Sequence, residues 1–354
     1  MPIPTIPGIT AQRVTTPRLA TRVLFSGNAG GTPVLFLHGN ASSATYWEET
    51  MVALPAGYYG IAPDQRGYGD ADRSVKIDAT RGMGDLADDA IALLDHLGVG
   101  QAHVVGHSAG GSVIWRLIAD HPSRWLSVTQ VCPGSPFGFG GTKDDQGTLC
   151  AEDAAGSGGG IVNAEFTQRM AADDRSMDNP ASAPRNVMLS FYFKPPFKPA
   201  REEELLASLN SQHVGEREYP GDFTPSPNWP FVAPGVWGPA NALSPKYLGD
   251  SVERLIHAAP KPPVLWVRGS DDQIVGDMSL FNMGTLGKLG IVPGYPGDDV
   301  HPPQPMVGQT RYVLEQYAAN GGSYEEVVIA DTGHTPYIEK PDEFNTIFHS
   351  FLRG

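Results

Sequence analysis

Two cysteines, Cys132 and Cys150, stand in a chain of 354 residues. A single pair excludes a disulfide scaffold, and reduced thiols in a cytoplasmic protein are the default expectation. Cys-x-x-Cys spacing is absent, and neither a metal nor a cofactor is expected. Long apolar runs are missing too, and the opening Met1-Pro-Ile-Pro-Thr-Ile-Pro-Gly8 carries no basic stretch. No signal peptide and no membrane span are therefore expected. Positive charge is scarce. Lys and Arg number 25 against 39 Asp and Glu, a net charge of −14, which argues against nucleic acid and anionic membranes as partners. No internal repeat is found. Glycine and proline are plentiful, 42 and 32 residues, so much loop is expected. The length suits one large domain with an insertion, or two domains.

The chain is organised around residues 102–118. His103 to Val105 reads as a short buried strand, and the residues from Ala109 read as a helix with Val113, Ile114, Leu117 and Ile118 on one side. Between them lies Gly106-His107-Ser108-Ala109-Gly110, a G-x-S-x-G motif in a strand-turn-helix setting. A sharp turn there holds the serine in a strained conformation and lifts its hydroxyl above the sheet. Side chains two positions away on either side would collide, and both positions are glycine. The helix start offers free N–H groups, and that of Ala109 can face a developing oxyanion.

Around this stretch, strands and helices alternate. Residues 9–26 read as two strands split at Thr16-Pro17. Apolar strands follow at 34–37, 58–63 and 126–131, and an amphipathic helix spans 84–97 with Ala87, Ala90, Ile91, Leu94 and Leu97 on one face. That pattern implies a mostly parallel sheet covered by helices on both faces. It breaks near Pro133. Residues 134–245 hold Gly- and Pro-rich stretches, a helix candidate at 201–209 and many aromatics, among them Phe139, Phe191, Tyr192, Trp229 and Trp237. This density is unlike a disordered linker and reads as an inserted cap with an apolar underside. The sheet resumes at 264–267. A second irregular stretch, 276–305, precedes a helix at 307–317, a strand at 326–329 and a closing helix from Pro341. The core is thus expected at 1–133 and 246–354, and the cap at 134–245.

A serine hydroxyl needs a base within hydrogen-bond reach, and the base needs an orienting carboxylate. Both should hang from strand ends on the edge that carries Ser108. His334 follows the last strand in Thr-Gly-His-Thr-Pro, and Asp272 follows the strand at 264–267 in Gly-Ser-Asp-Asp. Asp271 is the neighbouring rival. Of the other histidines, His38 and His107 flank the site and are expected to orient backbone, and His301 is a candidate for a substrate role.

These pieces together, His38-Gly39-Asn40, Asp64-Gln-Arg-Gly-Tyr-Gly69, Gly106 to Gly110, Gly269-Ser-Asp-Asp272 and Gly333-His334, resemble the α/β-hydrolase superfamily, in its lid-bearing esterase, epoxide-hydrolase and dehalogenase-like branch. The resemblance covers the core on both sides of the insertion, and not the insertion. It implies the α/β-hydrolase fold, with Ser108 as nucleophile, Asp272 as acid and His334 as base in the family's chain order. It also implies backbone N–H groups of Asn40 and Ala109 as the oxyanion hole, and Arg66 as a structural pin. The family's other acid location carries Cys132-Pro133 here. Epoxide hydrolases and haloalkane dehalogenases of this branch use an aspartate at the elbow, so serine argues against both reactions. The separation of 62 positions from Asp272 to His334 is unusually long, and the stretch 276–305 is expected to lie beside the cap and shape the pocket.

The expected function is a serine hydrolase cleaving a small-molecule carboxylic ester or lactone held beneath the cap. The alternatives are a proline-iminopeptidase-like amide hydrolase, with Glu202 to Glu204 or Glu216 and Glu218 holding a substrate amine, a carbon–carbon bond hydrolase, a cofactor-free perhydrolase, and a receptor that kept the fold without turnover. The substrate and the oligomeric state are not legible in the sequence.

Overall fold

The computed structural model describes residues 3–354. Six strands lead the chain: β1 (Ile9–Thr15), β2 (Ala20–Gly27), β3 (Thr32–Leu37), β4 (Tyr58–Pro63), β5 (Ala102–His107) and β6 (Trp125–Val131). Four short ones follow in the segment 134–245: β7 (Val214–Gly215), β8 (Tyr219–Pro220), β9 (Phe223–Pro225) and β10 (Val232–Pro234). The last two are β11 (Val264–Gly269) and β12 (Tyr324–Ile329). Eight of them form one sheet in the order β1-β2-β4-β3-β5-β6-β11-β12. Within this sheet the β1–β2 and β2–β4 pairings are antiparallel, and β4, β3, β5, β6, β11 and β12 run parallel. This is the α/β-hydrolase fold.

The parallel strands are apolar on both faces because both faces are covered. Alternate residues feed two separate cores. Phe36, Val105, Val131 and Val267 enter one. Leu35, Val104, Val128 and Trp266 enter the other, with Val113, Ile114 and Leu117 of the helix Ala109–Asp120. The closing helix Pro341–Leu352 adds Phe344 and Phe348 to the first core. β2 departs from the half-exposed pattern its alternation suggests. Six consecutive residues, Thr21 to Ser26, are buried, since β1 and β4 flank the strand and both faces are covered.

Between β6 and β11 the chain leaves the sheet. The segment carries helices Ala164–Ala171 and Glu202–Asn210 and the paired short strands. Its side chains Phe166, Met170, Val187, Leu205, Leu206 and Leu209 join the first core, so it shares its apolar interior with the sheet face below. The second excursion is not wholly irregular. It holds the helix Met283–Lys288, capped by Asn282 accepting from the Thr285 N–H. A Cβ on Gly284 would stand 2.2 Å from the Pro302 oxygen, and one on Gly287 2.5 Å from the Tyr295 ring. These glycines allow close contact, although in sequence they read as loop. Among the described residues, no helix is long and apolar enough to cross a membrane.

One ion pair fixes the antiparallel side of the sheet to the loops above it. Arg22 on β2 donates to both oxygens of Asp64, at 3.0 and 3.2 Å, and Asp64 also accepts from the N–H groups of Ala44 and Asp70. Both side chains are buried. Removing one partner leaves an uncompensated buried charge. Arg22→Met is therefore expected to lower stability by about 3–5 kcal/mol, measured by urea unfolding; a loss under about 1 kcal/mol, the range of an exposed pair, would contradict this assignment.

Candidate active site

The parallel strands all end at one edge, and each ending supplies part of the site. His38 to Asn40 follow β3, Ser108 follows β5, Cys132 follows β6, Asp272 comes after β11 and His334 after β12. Ser108 sits at φ 55° and ψ −120°, a region side-chain-bearing residues rarely adopt. Its N–H donates to the Val131 oxygen at 3.0 Å. The flanking glycines are required. A Cβ on Gly106 would lie 2.7 Å from Gly110 backbone, and one on Gly110 would lie 2.2 Å from the Leu37 oxygen.

His334 Nδ1 and Asp272 Oδ2 are 2.8 Å apart, both side chains nearly fully buried. Asp272 Oδ1 accepts from the N–H groups of Ile274 and Val275 at 2.9 and 3.0 Å. The carboxylate is thus held on both oxygens, and the imidazole's other nitrogen, Nε2, is left without a hydrogen bond among the described residues. The turns carrying the two residues meet at Gly269, where a Cβ would come within 1.9 Å of the Gly333 oxygen. Asp271 points away, half-exposed, to Lys194 Nζ at 3.0 Å. Ser108, His334, Asn40 and Ala109 all line one cavity of about 480 Å³.

The flanking histidines hold backbone. His38 Nε2 accepts from the Gln65 N–H at 3.0 Å, which puts its proton on Nδ1, where it donates to the Gly39 oxygen at 2.8 Å. The Gly39 carbonyl and the Asn40 N–H share one trans peptide, so fixing the first aims the second in the opposite direction. A Cβ on Gly39 would touch the Ser108 Cβ at 3.0 Å, so this loop lies against the serine. Ala109 opens its helix, and its N–H is one of the helix's unpaired donors. His107 Nε2 donates to the His334 oxygen at 2.8 Å. Burial first, then His334, holds the His107 pKa well below the usual histidine range, and burial pushes that of His38 down to about 4. Both rings stay neutral and serve as fixed struts.

Other expectations sort differently. Arg66 is a pin: it holds Asp89 through two 2.7 Å bonds and does not line the cavity. His301 does not line it either. It is buried edge-on against Trp229 at 4.9 Å, where the second excursion meets the segment 134–245. The second excursion does reach the cavity, through Leu280, Phe281, Met283, Leu286 and Ile291. Glu202 and Glu203 pair with Arg185, and Glu218 with Arg73 and Lys76; none of the five glutamates proposed for a substrate amine lines the cavity.

In sequence Cys132 reads as a reduced thiol at the family's other acid location. It stands at φ 44°, and its sulfur, an Asp272 oxygen and a His334 nitrogen lie within 4.8 Å of one another. Burial, then Asp272, pushes its thiol well above the usual range. A neutral thiol beside a hydrogen-bonded Asp–His pair is a poor metal donor set. Tyr192 was read only as an aromatic of the cap; it too lines the cavity.

The profile of the alpha/beta hydrolase fold family matches residues 32–283. Epoxide hydrolase A of Mycobacterium tuberculosis is 37% identical over 120 residues, covering 34% of this chain and 37% of that protein. The AB hydrolase superfamily protein YfhM of Bacillus subtilis is 36% identical over 116 residues, 32% of this chain and 40% of that protein. The chain therefore aligns with well under half the length of these curated relatives. Among solved structures, serine hydrolase CCSP0084 from the polyaromatic hydrocarbon-degrading Cycloclasticus zankles has a TM-score of 0.62 at 17% identity, over 98% of this chain and 99% of that one. The 2-hydroxy-6-oxo-6-phenylhexa-2,4-dienoate hydrolase of Rhodococcus sp. strain RHA1 has a TM-score of 0.59 at 18% identity, over 98% and 99%. At such identities the likeness speaks for the fold.

The two adjacent aspartates give a direct test. Asp272→Asn should lower kcat by about 10⁴-fold, the size seen when a triad acid is neutralised. Asp271→Asn, which touches a half-exposed ion pair with Lys194 and a hydrogen bond from Ser270, should leave kcat within about threefold. Equal effects would break the geometric assignment.

Proposed function

The chain belongs to the alpha/beta hydrolase fold family, and within it we propose a serine hydrolase that cleaves an uncharged, apolar carboxylic ester or lactone through an acyl-enzyme. Ser108 Oγ attacks the carbonyl carbon while His334 Nε2 takes its proton. Asp272 holds the Nδ1 proton and stabilises the imidazolium. The oxyanion settles between the N–H groups of Asn40 and Ala109, each such donor being worth about 3 kcal/mol to the transition state. Collapse expels the alcohol, which takes the proton from His334. Water then repeats the sequence and frees the acid and Ser108.

One observation carries the substrate class. Among the described residues no Asp, Glu, Lys or Arg lines the cavity, and its walls are mostly apolar, with Phe139, Phe166, Phe191 and Phe281 among them. A charged group would lose its hydration there without a partner. A peptide amine would find no carboxylate. A carboxylate substrate, such as the dienoate in the Rhodococcus hydrolase's name, would find no cation. The relation to an epoxide hydrolase does not extend easily to the reaction. A serine that opened an epoxide would form an ether, which has no carbonyl for water to attack.

We take residues 134–245 as the lid over this cavity, acting with the second excursion. Of the cavity's lining, Asn163, Ala181 and Ile291 are exposed, so the mouth lies where these two parts face each other. The two free thiols suit a reducing cytoplasm, and no partner beyond the small-molecule substrate is invoked.

A panel of p-nitrophenyl esters of rising acyl length tests the reading, beside a matched anilide and an ester with a terminal carboxylate. Neutral esters should turn over with an optimum above acetate. The carboxylate ester should fall at least about 100-fold in kcat/KM, a loss of about 2.7 kcal/mol. Ser108→Ala should lose about 10⁴-fold or more. Anilide cleavage faster than ester cleavage would move the reading to an amidase.

A further inference from the structure

The loop after β3 is held from outside the sheet as well as from within it. Ala41 stands at φ 43°, a left-handed conformation that a residue with a side chain holds only when its surroundings enforce it. Tyr192 supplies much of that enforcement. Its hydroxyl lies 3.0 Å from the Asn40 oxygen and 3.2 Å from the Ala41 oxygen, and donates to this pair of carbonyls. Gln212 accepts from the Ala41 N–H at 2.8 Å. The core side chains His38 and Ser42 fix the preceding carbonyl, that of Gly39. Three successive peptide planes are thus set, the first carrying the Asn40 N–H.

Tyr192 also touches the other half of the chemistry. Its backbone oxygen accepts from Thr335 Oγ1 at 2.7 Å, and its ring meets that of His334 edge-on at 6.2 Å. It is the last residue of a π-helical turn, Met188–Tyr192, a rare geometry that concentrates at functional sites. Burial keeps its phenol well above the usual tyrosine range, so the hydroxyl remains a donor.

We propose that Tyr192 is a positioning residue for hydrolysis: from the inserted segment it locks the loop whose Asn40 N–H receives the oxyanion, and it ties that loop to the turn bearing His334. The inference rests on the serine-hydrolase reading above. Loss of the hydroxyl lets the loop relax from its left-handed turn, which misaims a donor whose value is realised only as the oxyanion forms.

The experiment uses the full chain with p-nitrophenyl butyrate, and butylboronic acid as mimic of the tetrahedral state. Tyr192→Phe should lower kcat about 10- to 100-fold, less than outright loss of a donor, with KM within about threefold. Affinity for the boronic acid should fall by a similar factor. Unchanged kcat and boronic acid affinity would overturn the proposal, as would a rise in KM alone, the mark of a residue that only shapes the pocket. Should Tyr192→Phe not fold, Gln212→Ala frees the same loop and should give the same signature; a kcat unchanged there overturns it equally. Ser108→Ala separates the two levels. If it abolishes turnover while Tyr192→Phe is silent, the serine mechanism stands and the positioning role falls. If wild type turns over no ester, or Ser108→Ala matches it, both fall together.

Discussion

Ser108 is held in a backbone conformation that costs about 1–3 kcal/mol, and the surrounding structure is arranged to keep it there. Two glycines make this possible. Gly106 lets β5 end flush against the start of the next helix, and Gly110 lets that helix start rest on the Leu37 and His38 carbonyls, where a Cβ would come within 2.2 and 2.6 Å. The same contact brings Gly39 to 3.0 Å from the Ser108 Cβ. Raising the hydroxyl and bringing up the loop of Gly39 and Asn40 are therefore one packing event. A side chain at either glycine would spoil both.

Charge is arranged to serve the same end. The chain carries a net charge of −14, and its Arg22–Asp64, Arg66–Asp89 and Arg73–Glu218 ion pairs lie away from the cavity. Behind the cavity's lining, both oxygens of Asp272 are engaged, by His334 and by two N–H donors. In a chamber walled by apolar side chains those few dipoles are screened less than in water. The neutral struts His38 and His107 fit this scheme. Buried imidazolium ions there would compete with His334 for the carboxylate.

Much of the framework was legible in the sequence because it follows short-range rules. β4 spans the expected Tyr58 to Pro63, and the elbow falls where the strand-glycine-serine-glycine-helix pattern put it. Asp272 and His334 could be paired because both follow apolar strands and precede tight turns. The resemblance already favours Asp272 over Asp271, and the structure adds the physical reason: a one-residue step turns Asp272 to His334 and Asp271 to Lys194. The helix Met283–Lys288 was hidden by Gly284 and Gly287, whose role is close packing against Pro302 and Tyr295. His301 carried no local sign that Trp229 would cover it. Tyr192 and Cys132 were missed for a similar reason. Their partners lie 152 residues away in the case of Asn40 and on a different strand end in the case of Asp272, and no local pattern reports contacts of that range.

The central claim is that Ser108 becomes acylated. The direct measurement is peptide mass spectrometry after brief exposure to a fluorophosphonate, which mimics the tetrahedral state on a serine and stays attached. The account requires one adduct per chain, on the peptide carrying Ser108, and its near absence in His334→Ala. An unlabelled Ser108 in folded protein, or stoichiometric labelling elsewhere, would contradict it.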